Sequence, residues 1–331
     1  MITPELNPGK LLQISGSFWE TCTLHAGVKI DVFTLIGNNH LSAGNIAEKL
    51  EGNTRSVKML LNALTAMELL EKRDGKYSNT PASKTFLAKE SSGYIGHIIM
   101  HHHHLVDSWH QLDSAVLAGK PIRERISYQD EEKRESFLMG MFNIAMNLAP
   151  TIVPKIDLSG RRHLVDLGGG PGTYAIHFCL HNPQLKATVY DLPTTRSFAE
   201  KTIANFNLTD RIDFMEIDYL EGNIEGAYDV AWLSHILHGE EPKDCHRIIN
   251  KAVSVLKPGG MILIHDFILN DTMDGPLFPA LFSLNMLLGT PGGQSYSEKQ
   301  LREMLSDAGT KEIRRIFFES ANDSGIITGV V

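Results

Sequence analysis

The chain has 331 residues, 42% of them hydrophobic and 21% charged, with a formal net charge of −8. That length suits two domains rather than one small core, and the acidic balance argues against a role built on neutralising nucleic-acid phosphates. No apolar run near the roughly 18 residues of a membrane span stands out, and the opening MITPELNPGKLLQIS lacks the charged-then-apolar order of a secretory leader.

Up to about residue 90 the pattern is helical with short turns. In LSAGNIAEKL, Ser42 is a cap candidate before Ile46, Ala47 and Leu50. The next stretch, NTRSVKMLLNALTAMELL, carries Val57, Leu60, Leu61, Leu64 and Met67 at helical spacing. EKRDGKYSNT then reads as a hairpin turning on Asp74-Gly75. Helix, helix, small hairpin is the order of a winged helix. The second helix offers only Arg55 and Lys58 among apolar residues, too few for a DNA reader, so the module is read as a packing unit. Residues 94–155 predict further helices, including LVDSWHQLDSAVLAG and ESFLMGMFNIAMNLAPTIVPKI.

From residue 163 strands alternate with helices. HLVDL, KATVYDL, IDFMEID, DVAWLSHI, MILIHDFIL, RRIFFES and GIITGVV are the candidate strands; TTRSFAEKTIANF and KDCHRIINKAVSVL are among the helices between them. That alternation predicts an α/β domain with a mostly parallel, Rossmann-like sheet. Only ANDSG separates the last two strands, too short for a crossover, so the last strand should run antiparallel. By analogy of fold, this is the methyltransferase variant.

The glycine-rich stretch HLVDLGGGPGTYA decides between cofactors. A dinucleotide fingerprint needs its third glycine at position 173, which is threonine. Instead Gly168, Gly170 and Gly172 follow Asp166, whose charge would repel a pyrophosphate but suits an ammonium group. Asp191 ends the next strand, placed to accept ribose hydroxyls, and Asp218 ends the third, within reach of an adenine amino group with Tyr219 beside it as an aromatic wall. Acids ending three successive strands fit S-adenosyl-L-methionine.

On these motifs the chain resembles the plant-type and bacterial small-molecule O-methyltransferases, the caffeate, hydroxyindole and polyketide enzymes. LVDLGGGPGTYA, YDLP, HGEEPKDC, LKPGG and LLGTPGG fall in the family's order and spacing, and SWHQLDSAVLAG resembles its joining helix. The resemblance implies a homodimer built through the N-terminal region. The boundaries expected are a winged-helix-like α-helical dimerisation domain over 1–95, linking helices lining the substrate pocket over 96–155, and a catalytic domain binding S-adenosylmethionine over 156–331. It implies direct methyl transfer to an aromatic or heteroaromatic hydroxyl. His238 takes the position of the catalytic base, at the family's distance from Cys245, and Asp266 is one of the two acids that orient it. The other acid's position holds Ser295, and Gly239 stands where family members commonly show aspartate. Loss of one acid should leave the imidazole less basic, which implies either an acceptor more acidic than a simple phenol or a carboxylate contributed from elsewhere. His235, His265 and Glu240 lie close in sequence and could take over part of the role. Ser234 joins the implied cofactor-binding set. Phe142, Met146, Met286 and Thr290 match pocket-lining positions, where polarizable methionines suit flat rings.

If GHIIMHHHHLVDSWH is helical, His97, His101 and His104 share one face with Asp107 and Ser108. An exposed helix, a pocket contact and a metal site remain open for it; no metal is assigned. Three widely spaced cysteines, Cys22, Cys179 and Cys245, suit a reducing, cytoplasmic setting better than a disulfide framework. Neither a nucleic acid nor a membrane is expected as a partner. Rival readings are N- or S-methylation on the same scaffold, or a winged-helix regulator that binds the cofactor without turnover.

Overall fold

The computed structural model describes residues 6–125, 131–318, 320 and 322–331. The chain divides into two units, Met1–Leu105 and Val106–Val331.

In the first unit, helices α1 (Pro8–Gly16), α2 (Phe18–Lys29) and α3 (Val32–Ile36) precede a short strand, β1 (Leu41–Ser42). Helices α4 (Ala43–Lys49) and α5 (Thr54–Ala66) each begin with a side chain that accepts a backbone N–H: Ser42 from Asn45, and Asn53 from Ser56. Strands β2 (Leu70–Arg73) and β3 (Lys76–Asn79) form the expected hairpin, with Asp74 and Gly75 at φ 49° and 75°, the left-handed pair a two-residue loop demands. Strand β1 pairs with β3 to complete a three-stranded wing. Helices α6 (Pro81–Phe86) and α7 (Gly96–Trp109) follow. Phe33, Ile36, Ile46, Leu61, Leu64, Leu70 and Tyr77 make the core of this unit. Helix α1 buries nothing: Leu11, Leu12 and Ile14 are exposed, as are Phe18 and Trp19 of α2.

The second unit corrects the sequence reading in places. LVDSWHQLDSAVLAG is two helices, α7 and α8 (Leu112–Ala118), because the Gln111 side-chain amide donates to the Asp107 carbonyl that its backbone N–H would take in a continuing helix. That N–H turns to Ser108 instead. Helix α9 (Glu131–Ile152) corrects the expectation on apolar runs: with the short turn after it, Glu131–Lys155 is long and apolar enough to cross a membrane by length and composition. Its Ala145, Ala149 and Ile152 instead pack into the same core as Leu164 and Trp232, the behaviour of a central helix in a large domain.

The sheet is built from β4 (His163–Leu167), β5 (Lys186–Asp191), β6 (Ile212–Glu216), β7 (Tyr228–Ser234) and β8 (Leu256–Leu269), all parallel to their neighbours in this set. Helix α10 (Thr173–His181) follows β4, α11 (Arg196–Asn205) follows β5 and α12 (Pro242–Ser254) follows β7. After β8 come α13 (Leu277–Gly289), a two-residue strand β9 (Tyr296–Ser297) beside β8, and α14 (Glu298–Asp307). Strand β10 (Lys311–Ile316) lies earlier than RRIFFES suggested, stopping before the exposed Phe317. Strand β11 (Ser324–Val330) is antiparallel to both β10 and β8. The resulting order, β10-β11-β8-β7-β4-β5-β6, is the Rossmann-like sheet with the antiparallel last strand. The order of successive strands reverses between β4 and β7, which are parallel, and ligands of such sheets bind there beyond the strands' carboxyl ends.

Trp232 on β7 is fully buried, with its ring 5.0 Å from both Tyr174 and Phe178 of α10. Trp232→Ala should therefore lower the stability of the second unit by about 3–5 kcal/mol, read as an earlier urea-unfolding transition.

Candidate active site

The turn from β4 into α10 needs glycine. Gly168 has φ +68°, and a Cβ there would stand 2.5 Å from Ile236; Gly170 has φ +55° and faces open space. Gly172, at φ +77°, caps α10. The Gly170 N–H donates to Asp191 Oδ2 at 2.7 Å, so the acid ending β5 fixes the loop after β4. Asp191 Oδ1 accepts from the Leu192 N–H and the Thr195 hydroxyl, so three of roughly four acceptor positions are engaged within the chain.

Asp166 is 1% exposed. Its Oδ2 accepts the Ala175 N–H, while Oδ1 has no hydrogen-bond partner. Burial, helped by the charge of Asp191, pushes its carboxyl up to about 7, against the pull of the Ala175 hydrogen bond. A buried carboxylate oxygen lacking a donor, beside a loop stripped of side chains, fits the ammonium end of S-adenosylmethionine.

Asp218 does not end its strand: β6 stops at Glu216, and Asp218 closes a turn by accepting the Leu220 N–H. The Tyr219 hydroxyl donates to Glu240 Oε1 at 3.1 Å, and burial together with that charge raises the phenol well above its ordinary value. Ser234, ending β7, meets both His265 Nδ1, at 2.9 Å, and the Tyr174 phenol.

His238 follows β7 and Asp266 lies on β8, and the structure brings them together. His238 Nδ1 stands 2.6 Å from Asp266 Oδ1, and the His238 backbone N–H reaches Oδ2 at 3.3 Å. Burial alone would raise the Asp266 carboxyl, but the charge and hydrogen bond of His238, with His235 nearby, outweigh it and hold the group far below the carboxylate range. The short Nδ1 contact leaves Nε2 as the imidazole nitrogen available to a substrate. His235, His238 and Asp266 are also grouped closely enough to suggest metal ligands. Zinc bonds of about 2.0–2.1 Å would, however, set tetrahedral ligand atoms roughly 3.3 Å apart. The 2.6 Å separation is that of a hydrogen bond.

Of the three residues considered as substitutes for the missing acid, Glu240 is excluded. Its carboxylate is held by Arg125 at 2.6 and 2.7 Å and by Tyr219. His265 is fully buried, and burial beside His235 keeps it uncharged. His235 keeps Nδ1 3.6 Å from Asp266 Oδ1, beyond a good hydrogen bond, from a left-handed backbone at φ +56°. Ser295 is fully buried and its hydroxyl lacks a partner.

Sequence reasoning missed an aromatic wall around the pair. The Phe267 ring stacks near-parallel to His238 at 5.6 Å, Phe282 meets that imidazole edge-on at 4.8 Å, and Phe278 lies 5.0 Å from Phe267. Phe278 and Phe282, four apart on α13, were the available signal. Met286 and Thr290 are buried at the end of α13, with the Thr290 hydroxyl donating to the Met286 carbonyl. Phe142 and Met146 are half-buried on α9, the Met146 sulfur 3.4 Å from His177 Nε2. The histidine run is helical throughout, with His101 buried and His102 exposed. Among the described residues it supplies no group of three metal-ligand atoms.

The chain matches two family models: an O-methyltransferase dimerisation domain over residues 12–89 and an O-methyltransferase domain over 109–311. It is 32% identical over 329 residues, covering 98% of this chain and 95% of the relative, to 3-hydroxy-5-methyl-1-naphthoate 3-O-methyltransferase of Streptomyces sahachiroi. Identity is 30% to the tetracenomycin polyketide synthesis 8-O-methyl transferase of Streptomyces glaucescens, over 93% of this chain and 92% of that one. The solved structure of human N-acetylserotonin methyltransferase in complex with S-adenosylmethionine superposes with a TM-score of 0.88 at 26% identity, covering 100% of this chain and 99% of that one.

The raised Asp166 carboxyl has a consequence for the ligand-free chain. Unfolded, the group titrates near 4; folded, at about 7. Below pH 4 it is protonated in both states and costs nothing; stability is lost as pH rises from 4 to 7, and above 7 the whole cost is present. Asp166→Asn should therefore raise the ligand-free Tm at pH 8, by the equivalent of up to about 4 kcal/mol, with the gain fading towards pH 4. A pH series of thermal melts measures this.

Proposed function

The chain belongs to the O-methyltransferase family and uses S-adenosylmethionine, and we propose that it methylates a hydroxyl of a small aromatic or heteroaromatic molecule with His238 as general base. The observation that carries this reading is the 2.6 Å hydrogen bond from His238 Nδ1 to the buried Asp266. It selects the tautomer whose Nε2 bears a lone pair. Two relatives support the acceptor class, one named for a hydroxynaphthoate and one for a tetracenomycin polyketide. The wall of Phe267, Phe278 and Phe282 suits a flat ring.

When bound, S-adenosylmethionine supplies an electrophilic methyl group on its sulfonium. Asp166 would hold the ammonium through its unpartnered oxygen, and the Gly168–Gly172 turn would admit the methionine portion against the backbone. Asp191, already fixed by Gly170, would offer its remaining acceptor capacity to the ribose; Asp218 and Tyr219 would hold the adenine, and Ser234 would line the site at the end of β7. His238 Nε2 takes the proton of the acceptor hydroxyl as the oxygen becomes nucleophilic. Asp266 then stabilises the imidazolium through Nδ1–H and holds the ring in place. With Ser295 in place of an acid, that stabilisation rests on Asp266. Phe142, Met146, Met286 and Thr290 complete the acceptor pocket. Because the chain is an O-methyltransferase enzyme, a regulator without turnover is set aside. A cytoplasmic setting belongs to the same proposal and agrees with three unpaired cysteines.

His238→Ala should reduce turnover by about 10²–10⁴-fold while S-adenosylmethionine still binds by calorimetry; unchanged turnover removes His238 from the mechanism. The homodimer is proposed to form over the exposed Leu11, Leu12, Ile14, Phe18 and Trp19. Replacing Leu12 and Trp19 together by Glu should shift the sedimenting species from dimer to monomer, and a persistent dimer would place the interface elsewhere.

A further inference from the structure

Two arginines in the segment leading towards α9 meet opposite fates. Arg125 is neutralised: it grips Glu240 through two hydrogen bonds and reaches the Gly239 carbonyl at 2.7 Å. Arg123 is not. Among the described residues its Nη2 donates to the Asn285 carbonyl, at 3.3 Å, and the Asn285 side-chain oxygen, at 3.1 Å. Its Nε is buried with no acceptor, and no carboxylate among the described residues pairs with it. Burial alone lowers the guanidinium to about 10, with no neighbouring charge contributing, so it stays a cation at neutral pH.

The placement of this cation is built rather than incidental. The Ile122 and Arg123 N–H groups both donate to the Leu288 carbonyl, which fastens the segment to the end of α13. The guanidinium lies directly on Gly289: a Cβ there would come within 2.4–2.7 Å of Nη1, Cζ and Nη2, so a side chain at this position would displace it from its present place. Phe282, Asn285 and Gly289 follow one another at i, i+3 and i+7, one face of α13. Phe282 at one end of that face touches His238, while Gly289 lies under Arg123 about 10 Å further along the helix axis. A partly desolvated guanidinium facing neutral partners is costly until an anion pairs with it, and its planar fork matches a carboxylate.

Building on the O-methyltransferase reading above, we propose that the methyl acceptor is a hydroxyaryl carboxylic acid, its hydroxyl at His238 and its carboxylate bound by Arg123 with help from the Asn285 amide. The aromatic body then spans the Phe282 face between the two poles. Arg123 thereby selects anionic acceptors and sets which hydroxyl faces the base.

Calorimetry with S-adenosylhomocysteine present tests this, using a hydroxynaphthoate with its hydroxyl and carboxylate on opposite rings and the corresponding primary amide. The wild-type chain should bind the acid roughly 10²–10³-fold more tightly than the amide, and in Arg123→Met the two affinities should converge. Equal affinities in the wild type, including no binding of either, overturn the proposal even if the variant does not fold. A preference that survives in Arg123→Met overturns it too. Turnover of the same pair separates the two readings: methylation without preference for the acid leaves the O-methyltransferase reading intact while Arg123 loses its role. Methylation of neither compound counts against the aromatic acceptor, and the binding comparison still decides Arg123.

Discussion

A carboxylate kept ionised in a buried place is the constraint around which the catalytic unit is arranged. Asp266 is 3% exposed, and burial by itself would favour its neutral form. The imidazole of His238 at 2.6 Å reverses that balance. The pair holds each member in one orientation, since the histidine follows β7, the aspartate lies on the adjacent β8, and the two strands are hydrogen-bonded in register up to Ser234 and His265. Slipping β8 by one residue would turn Asp266 to the other face of the sheet. The site's precision is therefore a property of the sheet register.

Asp166 presents the complementary case. It lies on β4 with comparable burial, but one oxygen has no donor in the chain and its carboxyl sits near neutrality. The same fold thus contains one buried acid paired with an imidazole and one with an oxygen that no donor among the described residues reaches. Of the glycines after Asp166, Gly170 faces open space, while a Cβ at Gly168 would meet Ile236 and one at Gly169 would meet Asp166 itself.

The local features were legible in the sequence because their causes are local. Alternating strands, the Asp74-Gly75 turn, the Ser42 cap and the glycines after β4 each follow from the conformational demands of a few consecutive residues. Recognition of ordered motifs then gave His238 and Asp266 their pairing. Contacts that depend on distant segments meeting in space stayed hidden. Glu240 read as a candidate helper of the base because it is two residues from His238, yet Arg125, more than a hundred residues earlier, claims it. Phe267, Phe278 and Phe282 looked like ordinary apolar residues of a strand and a helix, and only the return of α13 over β8 makes them a wall. The break at Gln111 turned on a side-chain amide competing for one backbone carbonyl, a choice that composition and periodicity do not record.

The fate of Glu240 bears on how the base is tuned. A second carboxylate near an imidazole would favour the charged form and raise its basicity. Glu240 cannot serve, because its charge is spent on a bidentate ion pair that also holds the Gly239 carbonyl, next in chain to His238. Its contribution is mechanical: Arg125 and the Tyr296 hydroxyl, which donates to the Glu240 carbonyl, pin the turn that carries the imidazole. Position is thus secured by one acid and protonation by another. Dividing the work this way leaves the imidazole with Asp266 as its single charged hydrogen-bond partner among the described residues.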